Sequence, residues 1–212
     1  MAGITALFFD IGGVLLSNGW EKEMRKEAAE KFGLNVDELE AAHKQVVAAF
    51  ETGLIDLHEY LGQTVFTQAR PFSHEEFVKF MFDQSQPHVE TLEIVAELAR
   101  SRQYLMATLN NESLELNIHR IEKFHLRDYF TAFFSSCFLG VTKPEGDIYR
   151  KALQITQRTP DECLVIDDRV SNLETARHLG MHTILYQGAE QLRQELYRCG
   201  VTVDASRSAA NA

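Results

Sequence analysis

Cysteine is scarce in this chain. Its three cysteines, Cys137, Cys163 and Cys199, are odd in number and form no C-x-x-C pair. Neither a disulfide framework nor a zinc site is expected from them, and all three read as small core or interface residues of a reduced protein. No apolar run approaches the roughly 18 residues that a membrane-spanning helix needs. Positive charge is also short: 21 Lys and Arg stand against 31 Asp and Glu, a formal net charge of −10. Bulk electrostatics therefore argue against nucleic-acid and anionic-membrane partners, although a local cluster of donors and a cation is enough to hold a small phosphate. Residues 1–4 lack the basic stretch and cleavage pattern of a secretory signal, so a cytoplasmic location is expected. There are no internal repeats and no coiled-coil heptads, and oligomeric state stays open. The small, polar residues 206–212 read as a disordered tail.

What the chain does have is an alternation. Apolar strand-like runs fall at 4–9, 104–109, 131–134, 163–166 and 182–186. Helical spacing fills 89–100, 114–123, 146–155, 173–179 and 191–199. Strand and helix in turn imply βαβ crossovers, hence an α/β fold with a doubly wound, Rossmann-like parallel sheet. One interval breaks the rhythm. Residues 16–86 hold no convincing strand but four helical patterns: 21–32 closed by Gly33, 36–51 ending near Gly53, 57–65 capped by Asp56, and 74–82 capped by Ser73 with Glu76 in the reciprocal position. A small helical domain over 16–86 is thus expected inside a core made of 1–15 and 87–205, with Pro87 suited to the boundary.

The residues that carry chemistry fall at the ends of the apolar runs. Phe9 is followed by Asp10 and then by Gly12 and Gly13. A buried strand has no use for a carboxylate, but the carboxyl edge of a parallel sheet is where open α/β sheets bind ligands. Asn110 and Asn111 follow the second run, Lys143 lies in the loop after the third, and Asp167 and Asp168 follow the fourth. Each has a plainer reading: a turn-starting aspartate, helix-capping asparagines or aspartates, a solvated lysine. Two adjacent carboxylates repel each other, however, where one would suffice as a cap, and a divalent cation removes the repulsion.

In this order the residues resemble the haloacid dehalogenase superfamily, mostly phosphohydrolases, in its subgroup with a helical cap inserted after the first strand. The resemblance rests on Phe9-Asp10-Ile11-Gly12-Gly13-Val14-Leu15, on Leu109-Asn110-Asn111, on Lys143-Pro144, and on Asp167-Asp168 with Asn172 and Ala176. It implies that Asp10 is a nucleophile that forms an aspartyl-phosphate, and that the activity is hydrolysis of a small phosphorylated metabolite. It implies Mg²⁺ held by Asp10, Asp168 and the carbonyl of Gly12, with Asp167 and Asn172 behind them. Lys143 would neutralise Asp10 and the developing charge, and the amides of Ile11 and Gly12, with Asn110 and Asn111, would hold the phosphoryl oxygens.

Two residues depart from the family's common pattern. Most of its phosphatases carry a second aspartate two positions after the nucleophile, to protonate the leaving group and then activate water; here that residue is Gly12. Asn110 stands where serine or threonine is usual. A haloacid dehalogenase would not miss the acid, because halide leaves without a proton, but such enzymes need no metal and bind their acid through a cap arginine. Arg25 and Arg70 are the cap arginines here. A catalytically weak member with a binding role is the third reading. His43 and His58, in the cap, are the candidates for a replacement acid, and Trp20, with Asn18, for lining the substrate pocket or anchoring the cap.

Overall fold

Ala6–Phe9 is a four-residue run with no side chain left exposed on either face, and such a segment is stable only at the centre of a covered sheet. The computed structural model describes residues 3–202. In it this run is strand β1, followed by helices α1 (Lys22–Phe32), α2 (Val36–Glu51), α3 (Leu57–Thr64) and α4 (His74–Asp83). Alternation then sets in: α5 (Val89–Ser101), β2 (Leu105–Asn110), α6 (Leu114–Lys123), β3 (Ala132–Ser135), a single turn α7 (Ser136–Leu139), α8 (Gly146–Thr156), β4 (Cys163–Asp167), α9 (Val170–His178), β5 (His182–Leu185) and α10 (Ala189–Arg198). The strand order is β3-β2-β1-β4-β5, and every neighbouring pair is parallel. The sheet is an α/β, Rossmann-like one.

The two-residue period of the strands decides what covers each face. Leu7, Phe9, Leu164 and Ile166 point into one cluster, shared with α5 (Ile94, Leu98) and α10 (Leu192, Leu196). Ala6, Phe8, Cys163 and Val165 point into the other, shared with α8 (Ile148, Tyr149) and α9 (Leu173, Ala176). Truncating a fully buried ring such as Phe8 to alanine costs about 3–5 kcal/mol in cores of this kind. The strand order reverses at β1, which has β2 on one side and β4 on the other, so the crevice beyond its carboxyl end is the sheet's switch point.

The helices α1–α4 have their own cluster, centred on Tyr60, Leu61, Phe77 and Met81, and it reaches the sheet layer through Leu116 of α6. Their starts are written locally. Asn35 accepts hydrogen bonds from the amides of Asp37 and Glu38, while Asp56 with Glu59, and Ser73 with Glu76, form reciprocal capping boxes. The two connections between helices and sheet run side by side, with an antiparallel bridge between Leu16 and Pro87 and a Ser17 hydroxyl donating to the Gln84 carbonyl at 2.9 Å. Among the described residues, no helix is long and apolar enough to cross a membrane. The tail at 206–212 lies outside the described residues. The largest boundary difference from the sequence pattern lies in one helix. Helix α9 starts at Val170 rather than 173, because its first turn, Val170-Ser171-Asn172, is mostly polar and carries no apolar stripe.

Candidate active site

Register sets the first wall of the site. Phe9 is level with Ile166, and the Asp10 amide still donates to the Ile166 carbonyl at 2.9 Å, so Asp10 and Asp167 emerge side by side. Lys143 reaches both from the loop before α8. Its ammonium lies 2.9 Å from Asp10 Oδ2 and 2.6 Å from Asp167 Oδ2. The loop that carries it is clamped by Asn111, whose side chain accepts from the Lys143 amide and donates to the Lys143 carbonyl, both at 2.8 Å. Asp167 takes further bonds from Asn172 Nδ2, 3.0 Å to each oxygen, and from the Arg169 amide at 2.8 Å. The Ile11 amide donates to Asp10 Oδ1 at 2.7 Å.

Asp10 is 8% exposed and Lys143 is 5% exposed. Burial raises the Asp10 pKa, against the pull of Lys143. Burial works the other way on Lys143, but Asp10 and then Asp167 outweigh it and hold the ammonium charged. Asp168 is raised by burial and by its neighbour Asp167.

One lysine among three carboxylates leaves a surplus of negative charge. Asp10, Asp167 and Asp168 each present an oxygen within 4.8 Å of the others. Asp168 Oδ1 is buried without a hydrogen-bond partner among the described residues. Gly13, at φ +77°, makes the approach possible: a Cβ there would lie 2.3 Å from Asp168 Oδ2. Hard carboxylate oxygens, one of them unpartnered, fit a divalent cation of the Mg²⁺ type.

Asn110 goes elsewhere. Its amide nitrogen donates to Asn117 Oδ1 at 3.0 Å and its oxygen accepts from the Ser135 hydroxyl at 2.9 Å, with 1% of the residue exposed. Both ends of the side chain serve the packing of α6 against β3. Asn111, one residue on, is the member of the pair that lines the cavity.

Facing the carboxylates is a cavity of about 330 Å³. Its opposite wall comes from the inserted helices and the start of α6: Trp20, His43, Phe50 and Glu51, with Glu112 and Arg120. Arg120 is 2% exposed and fully engaged, with Nη1 3.0 Å from Glu112, Nε on the Ser85 hydroxyl at 2.9 Å and Nη2 on the Ser17 carbonyl at 3.0 Å. It crosses the entrance to the helices and leaves little room beside Gly12, where a Cβ would meet Asn18 Oδ1 at 2.9 Å and Arg120 Nη1 at 3.6 Å. Trp20 donates to the Tyr60 hydroxyl at 2.8 Å, which also bonds His43 Nδ1 at 2.8 Å, so the indole both lines the cavity and anchors the helices. Burial, helped by Arg25, holds His43 down to about 4 and therefore neutral. Burial, helped by Glu112, pushes the Glu51 carboxyl up to about 7. His58 lies away from this wall, its ring against His74 at 4.7 Å. The cap arginines are committed: Arg25 to Glu40 at 2.6 Å, Arg70 to the Val65 carbonyl at 2.7 Å.

Glu51, Glu112 and Arg120 escaped the sequence reading, yet two signals were there. Arg120 sits four residues after Leu116, on the stripe that α6 buries, where a charge needs partners. Glu51 closes α2, the end where the helix dipole disfavours an acid, and no basic residue accompanies it.

The chain is similar to known proteins at the level of family and fold. A family model described as haloacid dehalogenase-like hydrolase matches residues 4–180. Flavin mononucleotide hydrolase 1 of Arabidopsis thaliana is 27% identical over 177 residues, 83% of this chain and 71% of that protein. Among solved structures, a haloacid dehalogenase family enzyme of Bacteroides thetaiotaomicron superposes with a TM-score of 0.78 at 22% identity, covering 92% of this chain and 99% of that one. The same enzyme in complex with magnesium and inorganic phosphate gives a TM-score of 0.74 at 22% identity, over 88% and 96% of the two chains. The L-2-haloacid dehalogenase of Xanthobacter autotrophicus shares the fold at a TM-score of 0.60 and 19% identity, over 94% of this chain and 84% of that one.

Proposed function

The chain belongs to the haloacid dehalogenase-like hydrolases, and from that premise we propose that it is a Mg²⁺-dependent phosphomonoesterase acting on a small phosphorylated metabolite. The observation that carries this reading is the carboxylate cluster: Lys143 bridges Asp10 and Asp167, while Asp168 keeps a buried oxygen without a partner. A nucleophile that displaces halide has no need of such a surplus; a site for a dianionic ester and a cation does.

Asp10 attacks phosphorus through a carboxylate oxygen, giving an aspartyl-phosphate and splitting the hydrolysis into two displacements. Lys143 holds Asp10 in line and offsets the charge that develops on the equatorial oxygens. The amides of Gly12 and of Ile11, which here donates to Asp10 Oδ1, would hold those oxygens, and Asn111 fixes the lysine by its backbone. Asp10, Asp168 and the Gly12 carbonyl would hold Mg²⁺, which would supply charge neutralisation and polarisation of the phosphoryl group. Asp167 and Asn172 orient that donor set from behind. The helices over 16–86 act as a cap domain on the core formed by 1–15 and 87–205, and they supply the wall that selects the substrate.

The test is direct. The protein is incubated with an aryl phosphate and with a chloroacid, each with and without Mg²⁺. Magnesium-dependent release of phosphate supports the proposal. Metal-independent release of halide assigns the protein to the dehalogenases, and release of neither leaves a binding role.

A further inference from the structure

An alkoxide leaves phosphorus poorly unless it is protonated as the bond breaks. Gly12 has no side chain to do this, so another group of the cavity has to supply the proton. His43 faces the cavity but is held neutral, and its Nδ1 is engaged by the Tyr60 hydroxyl at 2.8 Å. Glu112 is spent on both oxygens, one 3.0 Å from Arg120 and the other accepting from the Ser113 amide at 3.0 Å. Glu21 is paired with Arg169. The carboxyl group of Glu51 enters no hydrogen bond or ion pair among the described residues; only its main-chain carbonyl does.

Building on the phosphatase reading above, we propose that Glu51, which lines the same cavity as Asp10 and Lys143, is the proton donor to the leaving group and afterwards the base that activates water. Although it comes from the inserted helices, its position is tied to the sheet. The Glu51 carbonyl accepts from the Ser136 hydroxyl at 2.6 Å. Two residues on, Gly53 packs so closely that a Cβ would lie 2.6 Å from the Cys137 carbonyl. The groups facing Glu51 are Glu112 from the segment before α6, Arg169 from the start of α9, Arg25 from α1 and Lys143 from the loop before α8. Burial and Glu112 favour the protonated form, the three cations oppose it, and the balance lies at about 7, where an acid and its conjugate base are both at hand.

The steps balance. As an Asp10 oxygen bonds to phosphorus, the bond from phosphorus to the leaving oxygen breaks and that oxygen takes the Glu51 proton, giving the alcohol, aspartyl-phosphate and a Glu51 carboxylate. Water then attacks phosphorus and gives a proton to Glu51 as the bond to Asp10 breaks. Phosphate, the Asp10 carboxylate and the Glu51 acid result.

The experiment compares glycerol 2-phosphate with p-nitrophenyl phosphate, in excess Mg²⁺, for the wild type and Glu51→Gln. A phenolate leaves with little help, so the variant should lose on the order of 10²–10⁴-fold in kcat/KM on the alkyl ester and no more than about tenfold on the aryl ester. In the wild type the alkyl reaction should fall above pH about 7, where Glu51 loses its proton, while the aryl reaction should not. Equal losses on the two esters, or no loss on the alkyl one, overturn the proposal. Should the variant fail to fold, the wild-type profiles decide: a basic limb confined to the alkyl ester supports the role, and identical profiles overturn it. A wild type that releases phosphate from neither ester overturns the phosphatase reading itself, and the proton donor falls with it.

Discussion

The two walls of the cavity handle charge in opposite ways. On the sheet wall, Asp10, Lys143 and Asp167 are buried, but Lys143 bonds both carboxylates within 3 Å and Asn172 and two backbone amides complete the set. On the helical wall, one ion pair, Arg120 with Glu112, is locked in place, while Glu51 is half-buried with nothing bound to its carboxyl group among the described residues. The first wall holds its ionisable groups in fixed bonds, although burial raises Asp10 as well. The second leaves one raised carboxyl group without a partner among the described residues.

The largest expected effect lies on the sheet wall. Asp10→Asn keeps the shape of the side chain but removes the nucleophile, so turnover should fall on the order of 10⁴-fold or more while the melting temperature changes little. A variant that retains a tenth of wild-type activity on the aryl ester would remove Asp10 from the chemistry and leave the sheet wall with a structural role only.

Next comes the anchor of the helical wall. Arg120→Met deletes three contacts at once and strands the Glu112 carboxylate, whose pKa burial already raises. Breaking a buried pair from one side costs about 3–5 kcal/mol. For a chain of this length that is a fall of roughly 6–20 °C in melting temperature, readable by calorimetry. A shift under about 2 °C would mean that water reaches Glu112 freely and that the helical wall is not held by this pair.

The same contrast explains what could be read from the chain. Asp10, Asp167 and Asp168 stand where an apolar strand stops, and Lys143 in the loop beyond one; a charge at such a point has no part in the strand's own packing. The alternation of strands and helices was legible for the same reason: each apolar run is short and ends in polar residues. Asn110 shows the limit. It too follows an apolar run, yet Asn117 and Ser135, distant in sequence, claim its amide. Glu51 and Arg120 lie within helices, where a charge on the buried stripe looks like a break in the pattern until its partners are known. Those partners, Ser17, Ser85, Glu112 and Ser136, are brought in by tertiary packing and not by any local spacing.

A smaller effect should come from behind the sheet wall. Asn172→Ala removes both hydrogen bonds to Asp167 and leaves the reacting groups untouched. Supporting residues of this kind are typically worth about 10–100-fold in metal affinity or activity. The Mg²⁺ concentration that gives half-maximal phosphate release should therefore rise by that factor. An unchanged Mg²⁺ dependence would show that Lys143 and the Arg169 amide suffice to hold Asp167.

The smallest effect is the sharpest test of the difference between the walls, because it reads Glu51 without reference to catalysis. Burial raises this carboxyl from 4.5 to about 7, so between those values the folded chain keeps a proton that the unfolded chain has released. A state that binds more protons loses relative stability as pH rises, so the folded protein pays for Glu51 progressively from pH 4.5 and in full above about pH 7. Glutamine never ionises. Glu51→Gln should match the wild type near pH 4.5 and exceed it at pH 8 by roughly 1–3 kcal/mol, the lower end being the more realistic for a partly exposed group. That is about 2–12 °C in melting temperature. His43 works in the opposite sense: held at about 4, it withdraws stability as pH falls from 6.5. It is present in both proteins, however, and cancels in their difference. A difference that stays flat from pH 5 to pH 8 would mean that Glu51 titrates like a solvent-exposed carboxylate. The helical wall would then hold no group poised to change its charge, and the contrast with the sheet wall would be lost.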